Sequence, residues 1–236
     1  MERNELTRRI SLEDDFMRHD QGNDIAYGFL LYLATYDTKT EQLYLTKHKL
    51  EKEYNTLRIL LSSTSAKETI TKKGADKIIL KLIESNLLKL GKIDTNGYKD
   101  VPCYFFPSDY SSKYRIINNE MLYYIICTRN KCALRIYTYL YDKYLWKQKT
   151  KDSYSFTVKE LKLALGWGAT TKTCEALIQT NLESMAAEGI IEYEEYYTSI
   201  NSHPVPQKRL TFVAATKDDI SYYRNKKLTC PSEDII

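Results

Sequence analysis

Apolar residues recur along this chain in two rhythms, a helical spacing and a short alternating one, and the order of the rhythms repeats. In IAYGFLLYLATY, which opens after Asp24, Ala26, Phe29, Leu30 and Leu33 fall on one helical face. Gln42–Leu45 reads as a short β segment, and Thr46 caps a helix through KHKLEKEYN. The stretch TLRILLSSTSA (56–66) reads as an extension of that helix, a separate turn, or both. Ile70 or Thr71 opens a long amphipathic helix to Asn86, which stands in for a C-terminal glycine. Its spacing predicts Ala75, Ile79, Leu82 and Ile83 inside, with Lys73, Lys77, Lys81 and Glu84 outside. LLKLGKI, DTNG and YKDVPCYFF then predict strand, turn and strand, and Asn96-Gly97 is the hairpin signal.

The second half begins with YRIINNEMLYYIIC (114–127), where Asn118 or Asn119 caps a short helix. A stronger helix follows in NKCALRIYTYLYDKYLWKQK (130–149), with Ala133, Ile136, Tyr137, Leu140 and Tyr144 at helical spacing. From Tyr154 to Ala215 come a β-rich tetrapeptide, a short helix, a polar turn, a long helix, and two strands around a loop. That order is the plan of a winged helix-turn-helix, which lays its second helix in a DNA groove. Thr157 and Glu160 form a capping box, and Val158, Leu161, Leu163 and Leu165 are expected to face inward. Gly166 and Gly168 allow the turn, and Thr170, Thr171 or Thr173 caps the next helix. Its stripe runs through Cys174, Leu177, Ile178, Leu182 and Met185, and Gly189 suits a left-handed terminus. The expected fold is therefore α+β and predominantly α, with two winged helix-turn-helix domains in tandem. The expected division is a polar arm (1–23), a first domain (24–107), a linker (108–113), a second domain (114–216) and a C-terminal helix and tail (217–236).

Composition narrows the classes further. A net charge of +4 over 236 residues is mildly basic, but its distribution is uneven. Basic residues dominate from Lys113 to Lys172, whereas Glu175 to Glu195 is acid-rich. Such polarity suits one anion-binding face, or two solvated helix faces that merely differ. The five cysteines are irregularly spaced without a CxxC pair, which suggests neither a zinc nor a disulfide framework but reduced core thiols in a cytoplasmic protein. No apolar run approaches the ~18 residues of a spanning helix, so no membrane association is expected. His19, His48 and His203 are scattered, and neither GxxxxGK[ST] nor GxGxxG occurs. The many tyrosines lack the His-apolar-His metal pattern of a nickase. We therefore expect no catalytic residue, no metal and no cofactor.

Nucleic-acid features are better supplied. Both long helices open with hydroxyls and lysine, a start suited to phosphate and base-edge contact at a positive helix end. The contact candidates are Thr71, Lys72, Lys73 and Lys77 in the first, and Thr170, Thr171, Lys172 and Thr173 in the second. Gln179 lies two turns further on and suits adenine. Hairpin candidates are Lys92, Asn96 and Lys99, then Ser202, His203, Gln207, Lys208 and Arg209. The last group belongs to SINSHPVPQKR, a loop stiffened by Pro204 and Pro206 that would lie along a backbone or minor groove. Ordinary soluble helix starts and a plain hairpin loop are the competing explanations. Glu175, Glu183 and Glu188 would repel phosphate, so either they point elsewhere or only the first turn meets DNA.

Residues 114–215 resemble the winged-helix domains of plasmid and phage replication initiators. The carriers are NKCALRIYTYLYDKY, FTVKELKLALGW, and the long helix with IIEYEE and its return strand RLTFV. Similar segments occur in initiators of theta-replicating plasmids, which place two winged-helix domains on repeated origin sequences. The resemblance implies sequence-specific binding of double-stranded DNA at origin repeats, a monomer–homodimer balance and recruitment of host replication proteins. A transcription regulator of a mobile element would present the same modules, and a winged-helix protein-interaction module is a third class.

Overall fold

In the computed structural model of the protein, residues 7–11, 23–62, 70–95, 97–106, 114–128, 132–150, 153–167, 172–200 and 203–222 are described. They form an α+β structure that divides into two compact units, residues 1–135 and 136–236.

The N-terminal unit is built around α1 (Asn23–Leu33). Its sequence suggests one apolar face, yet Ile25, Ala26, Tyr27, Phe29, Leu30, Leu31 and Leu33 are all buried. A helix apolar on every side must be surrounded, and α2 (Lys47–Leu61), α3 (Lys72–Glu84) and α4 (Asn119–Thr128) pack around it. Gly28 permits the closest approach. A β-carbon there would stand 2.7 Å from Leu134 Cδ2 and 2.8 Å from Ile126 Cγ2. Asp24, in the first turn, is buried. Burial lifts its carboxyl above the ordinary range, and the charge of Arg135 opposes that rise.

Helix α2 absorbs the ambiguous stretch as far as Leu61, an extension of the helix, and residues 63–66 of that stretch lie outside the described residues. Asn86 ends α3 in the left-handed region at φ 57°, as a residue substituting for glycine should. The sheet of this unit runs β2-β3-β5-β4, formed by β2 (Thr35–Asp37), β3 (Gln42–Thr46), β4 (Lys89–Thr95) and β5 (Tyr98–Phe105), all antiparallel. Gly97, at φ 78°, turns the hairpin between Thr95 and Tyr98, while its companion Asn96 lies outside the described residues.

A second pairing departs from expectation. The polar arm contains β1 (Thr7–Ser11), which pairs antiparallel with β6 (Tyr114–Asn118) in a two-stranded sheet. Strand β6 and helix α4, read from sequence as the start of the second domain, group with the N-terminal unit. The expected linker at 108–113 lies outside the described residues, and the division between units falls inside α5 (Ala133–Thr150).

In the C-terminal unit α5 seats on a three-stranded sheet, order β7-β9-β8, made by β7 (Tyr154–Phe156), β8 (Ile191–Ile200) and β9 (His203–Val213). Tyr137 donates to the Ala214 carbonyl at 2.8 Å, Lys147 Nζ to the Leu210 carbonyl at 2.8 Å, and Tyr144 meets Phe212 edge-on at 6.1 Å. Between strands come α6 (Val158–Ala164) and α7 (Lys172–Ala187). The capping box is formed: Thr157 Oγ1 accepts from Glu160 N at 3.0 Å, and Thr157 N donates to Glu160 Oε2 at 2.7 Å. Gly166 and Gly189 take φ 75° and 74°, where they close the two helices. Leu161 and Leu165 are buried as expected, but Leu163 is exposed and Lys162 is buried with them. At about 100° per residue Leu163 lies roughly 150° from the centre of that face, so helical spacing overrides hydrophobicity.

Both units thus contain the order helix, short strand, helix, helix, hairpin, to which the N-terminal unit adds β1, β2, β6 and α4. Both also share one strand arrangement, in which the return strand of the hairpin sits between the outgoing strand and the short strand, as β3-β5-β4 and β7-β9-β8.

Candidate nucleic-acid interface

In the N-terminal unit four candidate residues, Thr71, Lys72, Lys73 and Lys77, lie on or cap α3. Thr71 takes extended backbone angles, and its hydroxyl accepts from Gly74 N at 3.2 Å, so the predicted cap residue does cap. Two groups of α2 and its C-cap residue, Ser62, fix the start of α3. Arg58 Nε donates to the Ile70 carbonyl at 2.7 Å, Ser62 Oγ accepts from Ile70 N at 2.9 Å, and the Tyr54 hydroxyl donates to Asp76 Oδ1. Burial and the neighbouring Asp76 carboxylate push the Tyr54 phenol well above its usual range, so it stays a donor. Nothing in the hydrophobic pattern signals this clamp. Tyr54 lies on the same α2 face as Leu50, Leu57 and Leu61, where it passes for a core residue.

Lys72, Lys73 and Lys77 are all exposed, but they are not equivalent. Ala75, Ile79 and Leu82 define the buried side of α3. Lys73 and Lys77 lie about 40° apart on the opposite side, whereas Lys72 sits about 100° away from Lys73. Its ammonium is 5.9 Å from the centre of the Tyr54 ring. Neither Lys73 nor Lys77 forms an ion pair with a described residue. On the adjoining hairpin Lys99 is exposed, and Lys92 reaches Asp100 at 3.7 Å with both side chains mostly in water. Such a pair is worth little and yields readily to a phosphate.

The C-terminal unit is arranged differently. Thr170 and Thr171 lie outside the described residues, as do the side chains of Lys172 and Thr173, which open α7. Gln179 Nε2 donates to Glu183 Oε1 at 2.6 Å, so the proposed base reader is held by a carboxylate. The long loop read in SINSHPVPQKR is mostly strand. Register holds from Tyr193↔Leu210 to Ile200↔His203, and residues 201–202 lie outside the described residues. His203 is therefore at the tip and exposed, whereas Lys208 lies roughly 17 Å below it at about 3.3 Å per residue. Lys208 and Arg209, expected to reach phosphates at the loop return, instead stand opposite Glu195 and Glu194. Lys208 is buried, bonded to Glu195, with its ammonium 4.5 Å from the Tyr193 ring centre. Arg209 pairs with Glu194 at 3.5 Å and covers the Tyr196 ring at 4.9 Å. Gln207, paired with Tyr196, is half-buried.

Pro204 and Pro206 likewise lie in strand and not in loop. Both stand within β9 beyond the end of β7, in pairs of one parity, with Ser199 and Tyr197. Lacking N–H groups, they fit only where a donor would face away from β8.

Lys162 escaped the sequence reading although helical spacing alone puts it with Leu161 and Leu165. Its ammonium donates to Glu175 Oε1, in the first turn of α7, at 2.9 Å. Glu175 is thus drawn toward α6.

Among the described residues, no three His, Cys, Asp or Glu side chains converge as metal ligands would, and no helix is long and apolar enough to cross a membrane. Comparison with known proteins found no matching family model, no similar curated protein and no similar solved structure, so the reading of the site rests on its own geometry.

Proposed function

We propose that this chain is a sequence-specific double-stranded DNA-binding protein made of two winged helix-turn-helix domains in tandem. We further propose that it acts as a replication initiator of a plasmid or phage, bound to origin repeats. One observation carries the DNA reading: Lys73 and Lys77 project together from the side of α3 opposite its buried face, without a carboxylate partner among the described residues. The clamp from Tyr54, Arg58 and Ser62 holds that helix start in place before any ligand arrives. In a winged helix this is the element that enters the major groove, with the β4–β5 hairpin as the wing beside it. The repeated element order and strand arrangement support a second such module in residues 136–216. The initiator role rests on the resemblance of residues 114–215 and carries with it homodimers, host replication proteins and a cytoplasmic setting.

Titration of the protein with duplexes bearing tandem repeats, one palindrome or scrambled sequence, at several salt concentrations, tests this. Steep salt dependence with preference for tandem repeats is expected. Preference for the palindrome would point to a transcription regulator, and affinity indifferent to salt would refute DNA binding.

A further inference from the structure

We infer that Lys162 is a positioning residue for DNA binding by the C-terminal unit: it holds the Glu175 carboxylate toward α6 and clears the first turn of α7 for phosphate. The inference rests on the DNA-binding reading above and assigns a role to a residue that touches no DNA.

The Lys162 side chain is 1% exposed, while that of Glu175 is 42% exposed. A lysine this deeply buried is costly unless it is paired. Here the cost is tied to a geometry, because the ammonium on α6 reaches Glu175 in the first turn of α7 at 2.9 Å. Glu175 is the one carboxylate of α7 in the turn that would meet a phosphate backbone, and it retains enough exposure to swing outward once released. A carboxylate loose at that point would oppose phosphate directly. The pair also joins α6 to α7, so it fixes how α7 presents its start.

The two partners have unequal roles, which makes the inference testable. Lys162→Met keeps the length and apolar stem and removes the charge, leaving a solvent-accessible carboxylate. Glu175→Gln takes a carboxylate away from a buried ammonium. The double variant replaces the pair with neutral groups of similar size. Duplex affinity and urea midpoint should be measured for the full-length wild type, both single variants, the double variant and Lys162→Arg.

Lys162→Met is expected to fold and to bind duplex about tenfold more weakly at low salt, with the deficit shrinking as salt screens the repulsion. Glu175→Gln should show the lower urea midpoint while its folded fraction binds as well as wild type. The double variant should return to within about twofold of wild-type affinity, and Lys162→Arg should stay close to it. Failure of the double variant to recover, or a Lys162→Met deficit that salt leaves unchanged, would overturn the inference while DNA binding stood. A wild type without duplex affinity would overturn both.

Discussion

Replacing Lys73 and Lys77 together with alanine should change the salt dependence of duplex binding more than replacing Lys72. The lysines are close in sequence, but the helix separates them. Lys73 and Lys77 share the outward side of α3, and Lys72 leans over Tyr54 with its ammonium 5.9 Å from the ring centre. Each phosphate contact adds about 0.9 to the slope of log affinity against log salt, so the double variant should lose about 1.8. Between about 50 and 200 mM salt the wild type should then lose roughly tenfold more affinity than the variant. Lys72→Ala should shift the slope by less than one contact, and Lys39→Ala, an exposed lysine between β2 and β3, by none. Fluorescence anisotropy with a labelled duplex across that range measures each slope. Equal shifts from Lys39, Lys72 and the Lys73/Lys77 pair would mean diffuse charge attraction and refute a placed helix.

Other outcomes follow from burial and capping. Gly28→Ala would press a methyl against Leu134 and Ile126 at 2.7 and 2.8 Å. Overpacking of about 1–3 kcal/mol should outweigh the ~0.5–1 kcal/mol of helix propensity gained, lowering the urea midpoint. Thr157→Ala removes the capping box of α6 and should cost about 1 kcal/mol, read from the same midpoint. Tyr137 is fully buried, and burial pushes its phenol well above the ordinary value, aided by Tyr141 and Asp219. The folded state then holds a proton that the unfolded chain releases above about pH 10. Stability should be unaffected by this group below that pH and should fall above it by up to ~1.4 kcal/mol per pH unit. Tyr137→Phe should flatten the alkaline limb while losing about 1 kcal/mol at neutral pH with its hydrogen bond to Ala214. An unchanged alkaline limb would mean that the phenol titrates in the fold as it does in the unfolded chain.

Local signals in the sequence translate well where a few adjacent residues determine the backbone. Thr157 with Glu160, Asn86, Gly97 and Gly189 each act at the predicted place, because cap and turn chemistry is decided within a turn of chain. Misplacements arise where distant partners decide. The β1–β6 pairing joins Thr7–Ser11 to Tyr114–Asn118 across most of a unit, and neither segment has a pattern that names the other. The extent of the β8–β9 hairpin depends on register, so a proline-containing strand read as loop, and Lys208 and Arg209 looked available when Glu195 and Glu194 stand opposite. Lys162 was legible from helical spacing but obscured by its charge, since lysine is the residue least expected in a core.

Helix α1 also has a consequence for how the molecule is made. Its apolar surface is synthesised early, yet some of the side chains that enclose Gly28, Ile126 and Leu134 among them, come about a hundred residues later. At translation rates of about 5–20 residues per second, α1 leaves the ribosome roughly 5–20 s before its cover is complete. During that interval the nascent chain carries a sticky segment that α2, α3 and β3 can only partly shield. Yield in a cell should therefore respond to chaperone supply and to translation speed over the stretch that encodes α4, even where the finished fold is unchanged.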